Sequence, residues 1–175
     1  MRALALILMT SAVCLNMGCR VEQLIFPIFE AEIIDPPPVP IGPFAFEEQR
    51  IEFDDLGDGV AGGVTVFQPT DASGPRPALV WVLGINNRAH YHQSLHEHLA
   101  SQGFVSIIPD TRDFSFLDVI YHQRSAENAV ETYNRASRGE LGVSIDSSRI
   151  AFGGYSIGAT MAVFAAAAVP DAAAL

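Results

Sequence analysis

The chain contains no lysine: its ten basic residues are all arginine, against 20 acidic ones, for a formal charge of −10. A basic stripe able to hold nucleic-acid phosphates is therefore missing, which argues against a nucleic-acid partner. Attraction to an anionic lipid surface is disfavoured for the same reason. Cysteine is nearly as scarce. Cys14 and Cys19 are the only two, so everything after residue 19 lacks a disulfide and a thiolate metal site. Low charge density is also informative. With 17% charged and 49% hydrophobic residues, the chain is not of the disordered class. Its 175 residues allow one domain, or part of a larger one.

The first segment reads as an address, not as fold. Arg2 precedes a mostly apolar run over residues 3–13, the length of a signal-peptide core and too short for a membrane span. Gly18 directly before Cys19 resembles the lipobox of bacterial lipoproteins, although Asn16 stands where an aliphatic residue is usual. The expectation is an export signal over 1–18, acylation of Cys19 and a cell-envelope lipoprotein. The membrane is then touched only through the lipid anchor. Cleavage by an ordinary signal peptidase, giving a periplasmic or secreted protein, is the alternative. Residues 19–46 include five prolines between positions 36 and 43, which exclude a helix or a central strand. They are expected to form a tether ahead of a domain over 47–175, and the acids from Glu22 through Asp58 are expected to form a solvated linker face.

Within that domain, strands and helices alternate. Residues 63–68 are rich in β-branched and aromatic types and read as a strand. Residues 78–83 and 104–108 are apolar throughout, as expected of strands covered on both faces. Helices are expected over 91–102, with Leu95 and Leu99 inward and Gly103 as the stop, and over 116–138. A further strand over 149–153 leads into a helix from Ser156 that is apolar nearly all round. Trp81 and the phenylalanines are expected in the core. The fold class is α/β: a mostly parallel sheet with helices on both faces.

One motif carries chemistry. Gly154-Tyr155-Ser156-Ile157-Gly158 is a G-x-S-x-G pattern set between a buried strand and an apolar helix. In that context the serine occupies a sharp, strained turn that lifts its hydroxyl above the sheet edge. Side chains two residues before and two after would collide there, hence Gly154 and Gly158. The helix that follows directs free N–H groups at a developing oxyanion.

With that motif in place, residues 60–175 resemble the first two-thirds of an α/β-hydrolase, of the dienelactone hydrolase, chlorophyllase and PET-hydrolase/cutinase-like group. Leu83-Gly84-Ile85 resembles the oxyanion turn, with Leu83 where relatives have His or Pro. Leu99-Ala100-Ser101-Gln102-Gly103-Phe104-Val105 is similar to the family's LASHGF-V stretch, and Arg124 matches an arginine on the next helix. Asp146-Ser147-Ser148-Arg149-Ile150 resembles the run into the elbow. The resemblance implies Ser156 as nucleophile, an oxyanion hole from the backbone N–H groups of Ile85 and Ile157, and Tyr155 packed rather than reacting. It implies hydrolysis of a small-molecule or polymeric ester through an acyl-enzyme, with no cofactor and no metal.

The fold's order is Ser, then Asp or Glu, then His. After Ser156 the only acid is Asp171, and no histidine follows. The expectation is therefore an incomplete sequence, with triad acid and His not in the chain. A non-catalytic envelope or binding protein on the same fold, and a peptidase or lipase, are the competing readings. His92 and His96 have the i, i+4 spacing of a zinc pair, but no motif supplies a third ligand. His90 follows the oxyanion turn and is a candidate pocket residue. Asp110 is expected to hold structure at its strand end.

Overall fold

The computed structural model describes residues 40–55, 61–110, 119–170 and 172–174. The expected signal, the acylated Cys19, most of the tether, and Asp171 lie outside the described residues. Residues 40–175 form one compact unit.

Among the described residues six strands form one sheet in the order β1-β2-β4-β3-β5-β6. They are β1 (Phe46–Phe53), β2 (Gly62–Pro69), β3 (Arg76–Val82), β4 (Val105–Pro109), β5 (Ile145–Gly154) and β6 (Ala173–Ala174). A 3-10 turn (Ala89–His92) and α1 (Gln93–Ser101) connect β3 to β4, α2 (Val119–Ser137) connects β4 to β5, and α3 (Ile157–Ala168) follows β5. The pairs β3–β4, β3–β5 and β5–β6 are parallel, while β1–β2 and β2–β4 are antiparallel. The sheet is thus mixed, parallel in the half that carries the serine motif.

Period-2 alternation divides the buried side chains between two faces. Val64 and Val66 of β2, Val80 and Val82 of β3, Ile107 of β4 and Phe152 of β5 belong to a large core cluster with α2 and α3. Phe67, Leu83 and Ile108 form a smaller cluster on the α1 side, where Trp81 packs.

Several expectations change. Residues 46–53 form a full strand, paired with β2 from Phe46↔Pro69 to Phe53↔Gly62. Its acids are exposed because it is an edge strand, where charge blocks further pairing. The end of the expected tether is docked on the domain: the Gly42 N–H donates to Ser101 Oγ at 2.8 Å, and the Phe44 N–H donates to the Ser101 carbonyl at 3.1 Å. Helix α1 buries His96 and Ala100 rather than Leu95, which is 38% exposed. Helix α3 buries Met161, Ala162 and Ala165 but exposes Val163 and Phe164, so it is half covered rather than buried all round. Phe104 and Phe164 are exposed, unlike the core phenylalanines Phe67 and Phe152.

Candidate active site

Strand β5 delivers Ser156 to the carboxyl end of the parallel strands, next to the end of β3. The serine has φ 58° and ψ −128°, a region almost reserved for glycine and costing a residue with a side chain on the order of 1–3 kcal/mol. Neighbours fix it there. The Tyr155 N–H donates to the Val82 carbonyl at 3.1 Å, and the Gly158 N–H donates to the Tyr155 carbonyl at 2.9 Å. The Ser156 hydroxyl caps no N–H of α3 and stands exposed.

Steric reasons for both motif glycines are explicit. A Cβ on Gly154 would lie 2.5 Å from the Gly158 carbonyl carbon and 2.7 Å from the Val82 carbonyl oxygen. On Gly158 it would overlap the Val82 carbonyl oxygen and meet that of Leu83 at 2.6 Å. The elbow can therefore close against β3 only with hydrogen at both positions.

The turn after β3 comes to the same place. A Cβ on Gly84 would meet the Tyr155 carbonyl oxygen at 3.0 Å and Ser156 Cβ at 3.2 Å, so Leu83-Gly84-Ile85 runs directly against the elbow. Asn86 has φ 54°, and the Asn87 N–H donates back to the Gly84 carbonyl at 3.2 Å. The Asn87 side chain then accepts the Arg88 N–H at 2.9 Å. Among the described turn and loop hydrogen bonds, Gly158 and Ala159 use their N–H groups, whereas Ile85 and Ile157 do not.

The histidines separate. His96 is fully buried, stacked on Phe67 at 5.6 Å and edge-on to Trp81 at 5.7 Å. Its Nδ1 is 2.7 Å from Ser106 Oγ. Burial, reinforced by the neighbouring His92, lowers its pKa to about 4, so it is neutral at pH 7. His90 is exposed and meets the Tyr91 ring edge-on. His92 was singled out in the sequence only as half of a zinc pair, yet its ring lies 5.1 Å from that of Tyr155. Tyr155 itself is 53% exposed, more open than a purely packing role implies. Asp110 is tied into the fold: it accepts the Gly63 N–H at 3.0 Å and pairs with Arg50, whose Nη1 lies 2.7 Å away. A hollow of about 580 Å³ lies elsewhere, between α2 and α3, lined by Val130, Met161 and Phe164 among others and by no residue of the two turns.

The PET hydrolase-like family model matches residues 38–175. The chain belongs to the PET hydrolase-like family. A search of the curated proteins gives no match. Solved structures agree on the α/β-hydrolase fold. A Klebsiella pneumoniae subsp. pneumoniae protein provisionally named a dienelactone hydrolase is 17% identical with a TM-score of 0.59, over 73% of this chain and 57% of its own. A thermostable esterase from Pseudomonas putida is 18% identical with a TM-score of 0.57, over 76% and 41%. A hyperthermophilic esterase from the archaeon Pyrobaculum calidifontis is 22% identical with a TM-score of 0.59, over 71% and 40%. The family member described here thus spans 40–57% of the length of these structures.

Proposed function

We propose that the protein is a serine hydrolase of carboxylic esters that works through an acyl-enzyme on Ser156. The observation that carries this reading is the backbone of Ser156: a non-glycine residue at φ 58°, exposed, between a parallel strand and a helix. Membership of the PET hydrolase-like family supports the same chemistry. Ser156 Oγ attacks the ester carbonyl, forming a C–O bond while the carbonyl π pair moves onto oxygen. The Ile85 and Ile157 N–H groups, with the positive end of α3, hold that oxyanion. Collapse expels the alcohol, and water then releases the acid in a second addition. A general base must accept the hydroxyl proton and return it to the leaving alcohol. In the chain order of this fold that base follows the serine, and none of the five histidines does.

The testing experiment is fluorophosphonate labelling of the full-length protein with mapping of the adduct by mass spectrometry. The reading expects the adduct on Ser156 and its loss in Ser156→Ala. Equal labelling of Ser156→Ala overturns it, and no labelling favours the non-catalytic alternative. Export with acylation of Cys19 is proposed on the leader sequence alone: detergent partitioning lost in Cys19→Ala supports it, and unchanged partitioning leaves a plain secretory signal.

A further inference from the structure

An unbroken series of rings connects the α1-side core to the elbow. Phe67 stacks on His96 at 5.6 Å, His96 meets Trp81 at 5.7 Å, Trp81 meets His92 at 5.8 Å, and His92 meets Tyr155 at 5.1 Å. The sequence makes room for it at one point. A Cβ on Gly153 would lie 3.1 Å from Trp81 Cε3, so the glycine before the serine motif is what lets the indole lie beside the elbow. Three polar atoms in this series, Trp81 Nε1, His92 Nε2 and His96 Nε2, are buried without a hydrogen-bond partner. Leaving such groups unpaired is costly, so in native structures they call for an explanation.

We propose that His92 is a positioning residue: seated on Trp81, its imidazole braces the ring of Tyr155 and thereby fixes the wall of the substrate cleft beside Ser156. This rests on the acyl-enzyme reading above. The Tyr155 backbone is already pinned on both sides by the Val82 carbonyl and the Gly158 N–H. Its half-exposed side chain is the part left to be held, and among the described residues its ring meets that of His92 at 5.1 Å. The ring groups that face His92 are Trp81 from β3, His96 from α1 and Tyr155 from the elbow.

The test combines a spectroscopic and a kinetic readout on the full-length protein. With 3-fluorotyrosine incorporated, the Tyr155 fluorine line is assigned by Tyr155→Phe. It is expected to shift in His92→Ala. That shift should be smaller in His92→Phe and absent in His90→Gln. In hydrolysis of an aryl ester, His92→Ala is expected to raise KM about 3- to 10-fold, the worth of one ring contact, with kcat nearly unchanged. His92→Phe, which keeps the ring, should restore KM. A Tyr155 line that ignores His92→Ala overturns the proposal, as does a KM that His92→Ala leaves unchanged. Absent labelling of Ser156 with the fluorine signature intact contradicts the acyl-enzyme reading and upholds the brace.

Discussion

Among the described residues a positive φ falls on four glycines, of which Gly103 packs against Phe44, and on two residues with side chains, and the two sets are built differently. At peripheral turns it falls on glycine: Gly74, Gly139 and Gly142 have positive φ with nothing within 4 Å of where a Cβ would be. At the ends of β3 and β5 it falls on Asn86 and Ser156, two residues that keep side chains. The periphery uses glycine to avoid strain. At the two turns that meet beside Gly84 the chain accepts strain, and the close-fitting glycines lie around the strained residues rather than at them. The lesson is that rigid neighbours are what permit a serine where a glycine would be cheaper.

The largest effect that would break this contrast concerns those neighbours. Gly158→Ala is expected to cost at least about 3 kcal/mol, because its Cβ meets backbone carbonyl oxygens that no rotamer change can move. Gly139→Ala enters open space and is expected to cost only the left-handed penalty, about 1–2 kcal/mol. Denaturant midpoints of the two variants measure the difference, and equal losses would erase the distinction.

Next in size is the buried imidazole behind the elbow. The pKa of His96 is lowered from 6.5 to about 4 by burial and by His92, so between those values the unfolded chain binds the extra proton. Its contribution is fully present above pH 6.5 and is lost as the pH falls towards 4, by up to about 3 kcal/mol. In His96→Phe that part of the pH dependence should disappear from urea melts taken across the window.

The smallest effect belongs to a third strand end. Asp110, after β4, pairs with Arg50 across a half-exposed surface, and the pair holds the arginine pKa above its ordinary value. Asp110→Asn is expected to cost no more than about 1 kcal/mol, shrinking in high salt, because the pair is half-exposed and an amide oxygen can still accept the Gly63 N–H.

Much of this was legible in the sequence. Apolar runs fixed the positions of β3 and β4, and the G-x-S-x-G spacing located the elbow because its glycines answer to steric limits that are local in sequence. What escaped depends on partners distant in the chain. Strand β1 looked like solvated linker because Glu47, Glu48 and Glu52 crowd into it; only pairing with β2 makes it an edge strand. Helix α1 presented Leu95 and Leu99 as its apolar side, whereas His96 goes inward because Ser106 of β4 meets its Nδ1 and Phe67 of β2 its face. His92 beside Tyr155 was missed for the same reason. Gly153, whose smallness admits Trp81, was the one local sign of it.

The most direct measurement of the central claim is the equilibrium stability of Ser156→Gly. If the elbow stores strain for the sake of a hydroxyl, removing the side chain should stabilise the fold by about 1 kcal/mol while abolishing fluorophosphonate labelling. A variant no more stable than the parent would show that Ser156 is not strained, and would contradict the account.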